Sequence, residues 1–286
     1  MATTQVERPA LTYHRARVTA VRPVTPHMVR VTFEAASFRE VPAGAPDQYV
    51  KVFFPRPGQE EPELPETGSD VMSWYRTYLA MPDAVRPPMR TYTVRAHRPA
   101  AAEIDVDFVL HGDTGPASAW ASRVTPGDRV TFTGPYGLYD LPAEADWQLL
   151  VGDETALPAI GAIIEQLPAG TRASAYIEVS EREERQTFET RGAVEVHWLL
   201  RGSRPLGQAL LDAVRTATFP GGAPYAWVSG EAGVVKLVRR HLVREREVDK
   251  RRICFTGYWR AGISEEAASR EAVRAADAGE VPPDED

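Results

Sequence analysis

Arg90-Thr91-Tyr92-Thr93-Val94-Arg95, read with His111-Gly112-Asp113-Thr114-Gly115-Pro116-Ala117-Ser118-Ala119-Trp120, decides what kind of chain this is. The first run is β-prone, and side chains alternate along a strand, so Arg90 and Tyr92 leave one face and Thr93 the other. An arginine for phosphate, an aromatic ring to cover a flat heterocycle and a hydroxyl at its edge are what holding a flavin dinucleotide requires. The second run sets glycine, proline, alanine and serine at a loop-to-helix junction. There, unpaired N–H groups and the positive end of the helix dipole can receive a pyrophosphate. Each run alone also fits ordinary structure: an edge strand, or a loop with a hydrogen-bonded histidine. Together they point to FAD.

The pattern around these runs divides the chain of 286 residues in two. Six β segments are expected in the first half: Tyr13–Val21, Met28–Glu34, Tyr49–Phe54, Arg90–His97, Ile104–Leu110 and Arg129–Thr133. Several alternate apolar and polar residues, as half-buried antiparallel strands do, and their irregular spacing suggests a small Greek-key barrel. Residues 55 to 89 form an insertion, expected to be a mobile flap with a helix over Val71–Met81. After Leu141–Trp147 the rhythm becomes strand and helix in alternation. Strands are expected at Gln148–Val151, Ala173–Val179, Val194–Leu199, Tyr225–Ser229 and Arg252–Thr256. Helices are expected at Ala156–Gln166, Leu206–Arg215 and Ala232–Arg246. Wholly apolar strands such as Leu149-Leu150-Val151 suit a parallel sheet covered on both faces. The expected architecture is therefore a β-barrel domain over 10–142, a short parallel-sheet nucleotide-binding α/β domain over 147–262, and a helical then acidic tail over 263–286.

Val151-Gly152-Asp153-Glu154-Thr155-Ala156-Leu157-Pro158 follows a strand and opens a helix, the context of a dinucleotide turn. It departs from G-x-G-x-x-G. One glycine remains, and two acids stand where a pyrophosphate would approach, which suits a helix start but repels an anion. An acidic helix cap with no ligand is the alternative. Ser229-Gly230-Glu231 sits at a later strand-to-helix turn, where a glycine permits close approach of a ring, or where the same residues merely cap a helix. After strand Ala173–Val179 stand Glu178 and Glu181, suited to the ribose hydroxyls of NADH, and Arg182 and Arg185, suited to the 2′-phosphate of NADPH. The balance leans slightly to NADH. Lys51 is one of only three lysines among 33 basic residues and stands in an otherwise apolar run. It is either a solvent-facing strand residue or a pocket cation beside Arg260.

These motifs occur in the order seen in one family. With Gly134-Pro135-Tyr136-Gly137, the Gly152–Ile160 run, Ser229-Gly230-Glu231 and Gly257-Tyr258-Trp259-Arg260, the chain from about residue 10 to 262 resembles the siderophore-interacting proteins. These are flavin-dependent ferric-siderophore reductases related to ferredoxin–NADP reductases. The resemblance implies an FAD-binding barrel followed by an NAD(P)H-binding domain. It assigns Arg90 to an FAD phosphate, Tyr92 to the isoalloxazine or ribityl and Thr93 to the flavin N5 edge. It places Thr91, Val109, His111, Thr114, Gly115, Ala117 and Ser118 against the FAD. Asp153, Thr155, Ala156, Pro158, Ser229, Gly230, Glu231 and Trp259 belong by the same resemblance to the cofactor sites. Lys51 and Arg260 would hold a bulky, neutral or anionic ferric siderophore without ligating iron. Electron transfer to Fe(III) calls for no general acid or base, so no catalytic residue is expected. Two alternatives remain: a flavin reductase or oxygenase-reductase component, and a non-enzymatic siderophore or flavin binder.

Composition excludes other classes. A net charge of −7 argues against a general nucleic-acid binder. No apolar run is long enough to insert in a membrane, and Met1–Ala10 has no signal-like core, so a reducing cytoplasm is the expected location. Cys254 cannot form an internal disulfide and reads as a small buried hydrophobe. The six histidines show no metal-site spacing, so no metal site is expected, and the chain is expected to act as a monomer.

Overall fold

The computed structural model describes residues 11–68, 70–112 and 115–278. The N-terminal half carries β1 (Tyr13–Thr25), β2 (Met28–Glu34), β3 (Tyr49–Phe53), α1 (Val71–Ala80), β4 (Met89–Thr93), β5 (Ala96–Arg98), β6 (Glu103–Val109), α2 (Pro116–Ala121) and β7 (Arg129–Tyr136). The strands form one antiparallel sheet in the order β4-β3-β7-β1-β2-β6-β5. Its inner face gathers Val18, Val31, Phe33, Val52, Val106, Phe108 and Phe132, the apolar members of the alternating patterns.

The run from Arg90 to His97 is two strands rather than one. Val94 N donates to Gln48 O at 2.7 Å and Arg95 N to Asp105 O at 2.9 Å. Neighbouring residues thus bond opposite edges of the sheet, and the barrel closes at that step. The insertion is not a loose flap. Asp70 caps α1 through Met72 N and Ser73 N, and Trp74 and Tyr78 pack with Leu11, Phe53 and Met89 in an apolar cluster of their own. Trp74 Nε1 also donates to the Tyr13 hydroxyl at 2.6 Å. Two aromatic residues on one helical face tie the insertion to the outside of the barrel.

The second half carries β8 (Trp147–Gly152), α3 (Leu157–Gln166), β9 (Arg172–Val179), β10 (Ala193–Leu200), α4 (Gln208–Thr216), β11 (Pro224–Glu231), α5 (Ala232–Arg244), β12 (Ile253–Trp259) and α6 (Glu265–Asp277). Its sheet is parallel throughout, in the order β10-β9-β8-β11-β12. Every residue of β8 is buried, because Leu150 packs with α3 on one face while Leu149 and Val151 pack with α4 and α5 on the other. The chain leaves β8 toward one edge and returns at β11 toward the other. The topological switch point therefore lies between Gly152 and Ser229, which pair in register.

Polar ties join the halves. Arg95 donates both terminal nitrogens to Glu165 of α3, at 2.7 and 2.6 Å. Asp47 accepts from Leu138 N, Tyr139 N and the Trp227 indole at 3.1, 3.0 and 3.0 Å. Glu184 accepts from Thr25 and from the backbone and ring of His27. Glu165→Gln leaves a weaker neutral acceptor for Arg95 and is expected to lower stability by about 1 kcal/mol in urea unfolding. A change too small to detect would show that this tie adds nothing to the junction.

Candidate flavin and nicotinamide site

The flavin run lies on β4, next to β3. Arg90 Nη1 donates to Met89 O at 2.6 Å and to the Glu266 carboxylate. Thr91 donates its amide and its hydroxyl to Glu265 at 3.2 and 2.8 Å. These donors already hold carboxylate oxygens, so chemically they form an anion-binding set of the kind a phosphate needs. Tyr92 packs against Phe108 with ring centroids 4.3 Å apart, and burial raises its phenol pKa far enough to keep it neutral. Thr93 faces the other way and is buried. Val109 ends β6 and packs, half-buried, at the edge of an apolar cluster.

The second run is organised by Ser118. Its hydroxyl accepts from His111 N at 3.0 Å and donates to Gly112 O at 2.8 Å, which folds the loop onto the start of α2. The His111 ring lies against Gly115, where an added Cβ would come within 3.0 Å of it. Ala117 is buried, so its side chain packs inward and only its backbone can serve a ligand. Thr114 lies outside the described residues. Arg90, Thr91, Tyr92 and the first turn of α2 fit FAD by donor chemistry.

At the switch point, Gly152 is glycine because two strand ends meet. A Cβ there would sit 2.8 Å from Ser229 O and 2.4 Å from Ala156 Cβ. The two acids of this turn do not face a ligand. Asp153 is only 5% exposed and accepts from Thr155 N, Thr155 Oγ1, Glu231 N and Trp259 Nε1, at 2.9, 2.6, 2.8 and 2.9 Å. Glu154 accepts from Ser180 N and Arg201 at 2.6 and 2.7 Å. The expected clash between acids and an approaching pyrophosphate is thus removed, because both carboxylates are satisfied inside the fold. Asp153 is a brace rather than a cofactor ligand. Ala156, the N-cap of α3, and Pro158 in its first turn are both buried. Gly230 takes φ +138°, and a Cβ on it would come within 2.6 Å of Asp153 Oδ2. Glu231 caps α5 through Val234 N at 2.9 Å.

Sequence reasoning quoted Tyr258 within a motif and gave it no role. Its hydroxyl shares hydrogen bonds with Thr93 and Ser229, and burial raises its pKa so that it stays a neutral phenol. One half-buried tyrosine therefore joins the flavin strand to the switch point. Tyr258→Phe keeps the ring and removes that bond. It should slow flavin reduction by NAD(P)H about tenfold with FAD affinity unchanged, read by anaerobic stopped flow. Equal rates would show that the bond does not set the gap.

Three further residues of the sequence reading have partners that the sequence did not name. Glu178 is fully buried and accepts from Arg201, Gly207 N and Leu210 N, so it holds the start of α4 and no ribose. Lys51 Nζ lies 3.3 Å from Thr91 Oγ1 and 3.7 Å from Glu265. Arg260 lies 3.5 Å from Glu271. Both cations thus stand beside carboxylates of α6, a helix to which the sequence assigned no partner. Among the described residues, no group of three His, Cys, Asp or Glu side chains is placed to hold a metal ion, and no helix is long and apolar enough to cross a membrane.

An antiparallel barrel-like sheet carrying an R-x-Y-T strand, set against the switch point of a five-stranded parallel sheet, is the fold of ferredoxin reductase-like structures. Residues 17–139 match the siderophore-interacting FAD-binding domain and residues 145–262 the siderophore-interacting protein domain. An uncharacterized protein of Mycobacterium tuberculosis is 38% identical over 265 residues, 88% of this chain and 92% of that protein. The ferric vibriobactin reductase ViuB of Vibrio cholerae is 31% identical over 250 residues, covering 87% and 89%. The crystal structure of a siderophore utilization protein from T. fusca superposes with a TM-score of 0.76 at 34% identity, covering 89% of this chain and 95% of that one. The chain belongs to the siderophore-interacting protein family.

Proposed function

We propose that this protein is an NAD(P)H-dependent ferric-siderophore reductase that binds FAD on its barrel and releases Fe(II) from the siderophore. The observation that carries this reading is Tyr258, whose hydroxyl joins Thr93 on the flavin strand to Ser229 at the switch point. Bound FAD would supply acceptance of a hydride from the nicotinamide and one-electron delivery to each of two Fe(III) ions. The protein supplies position. Arg90 and Thr91 hold a phosphate, Tyr92 and Thr93 set the ring, and Gly230, packed on Asp153, fixes the turn at Ser229 where a nicotinamide would approach. Fe(II), less charged than Fe(III), leaves a hard oxygen chelator more readily. Lys51 and Arg260 supply the charges that would attract an anionic ferric complex.

The domains are proposed at 10–142 and 147–262. The protein is proposed to work as a cytoplasmic monomer on a small-molecule substrate. With Glu178 spent on α4, the exposed charges beside the expected ribose position are Glu181, Arg182, Glu183 and Arg185. A side-by-side titration with NADH and NADPH reads which of them the nucleotide meets. The decisive experiment adds each nucleotide anaerobically to the FAD-loaded protein, then a ferric hydroxamate with an Fe(II) trap. Flavin bands that bleach, then return as trapped Fe(II) appears, are expected. Flavin that stays oxidised under both nucleotides would overturn the reductase in favour of a binding protein.

A further inference from the structure

α6 lays carboxylates along the donors that the flavin and substrate readings require. Glu266 sits on the Arg90 guanidinium, and Glu265 takes both donors of Thr91. Lys51 and Arg260 face Glu265 and Glu271. Other polar contacts tie the helix to the insertion: Tyr75 donates to Ser269 at 2.5 Å, Arg76 to Asp277 at 2.6 Å and Arg270 to Asp83 at 2.8 Å.

Two facts set the character of this docking. Arg90 and Glu266 have side chains only 20% and 18% exposed, so their pairing is largely withdrawn from water. Burial raises the Glu266 pKa, yet Arg90 outweighs it and holds the carboxylate below its usual range. By contrast, no described residue of α6 is buried. The helix has no fully buried residue to lose, and the bonds it makes to β4 are ones that water or another anion can replace.

We propose that Glu265 and Glu266 are an internal ligand of the flavin site, standing where phosphate oxygens of FAD bind, so that FAD binding and the docking of α6 on β4 exclude each other. This rests on the reading of Arg90 and Thr91 as FAD-binding residues. The amide and hydroxyl of Thr91 cannot serve a phosphate while they serve Glu265. A phosphate brought to Arg90 beside Glu266 would also place two anions side by side in a half-buried site. FAD therefore enters by displacing the start of α6, which uncovers Lys51 at the same time because Glu265 serves both. Loading the cofactor and exposing a substrate cation become one event.

The test titrates FAD into the full chain stripped of flavin, as wild type and as the Glu265→Gln/Glu266→Gln double variant, by flavin fluorescence. Amide hydrogen exchange across residues 265–278 is recorded with and without FAD. Removing the competing carboxylates should tighten FAD binding about tenfold, and FAD should speed exchange in the wild-type helix. An unchanged Kd, or a helix that stays equally protected with FAD bound, overturns the exclusion and leaves the flavin reading intact. Failure of both proteins to bind FAD overturns the flavin reading, and this inference with it.

Discussion

Asp153→Ala is expected to lower unfolding stability by at least about 3 kcal/mol, because it strands Thr155 N, Glu231 N and the Trp259 indole in one turn, each at about 1–3 kcal/mol. That is a large share of the 5–15 kcal/mol typical of a folded domain. The damage reaches function because the same carboxylate fixes the ends of β8, β11 and β12 relative to one another. Gly230 would lose the partner that its left-handed backbone is shaped around. Asp153→Asn keeps the shape and one acceptor, and should lose less. Urea unfolding of the three proteins reads the series. A loss under about 1 kcal/mol for the alanine variant would mean that water replaces the carboxylate, and the turn is not braced as described.

Arg90→Ala is expected to weaken FAD binding by roughly 10- to 100-fold, the range for a hydrogen bond to a charged group. Arg90 lies on the edge of β4 beside the charged start of α6 rather than in the apolar core, so the variant should fold. Arg90→Lys restores the charge but not the planar fork, and should recover part of the affinity. Fluorescence titration decides it. Unchanged affinity in the alanine variant would move the phosphate to other donors and remove Arg90 from the site.

The residues that disclosed the fold were those whose reason is local. Leu149-Leu150-Val151 reads as a strand covered on both faces, and Gly152 followed by a helix start marks the switch point. These signals depend on neighbours a few residues away, so pattern suffices. The split of Arg90–His97 at Val94 was not legible, because the run is continuous in composition and only tertiary pairing tells one sheet edge from the other. The site was legible as motifs and not as partners. Asp153 and Glu178 are acids at strand ends in the sequence; that they face inward follows from backbone groups 78 and 32 residues away. The bond between Arg90 and Glu266 spans 176 residues, and no spacing rule reaches that far. Tyr258 was visible within its motif, but its role depends on Thr93 and Ser229 arriving from different domains.

The barrel closes where Val94 and Arg95 bond opposite sheet edges. That step leaves the outer edge of β4 covered by α6 rather than by another strand, with Thr91 N donating to Glu265. It also fixes the strand's phase. A slip of β4 along β3 would have to break the seam with β6 in the same motion, and a one-residue slip would turn Arg90 and Tyr92 to the wrong face. The flavin run is thus held in register from two directions, by a ladder on one side and a seam on the other.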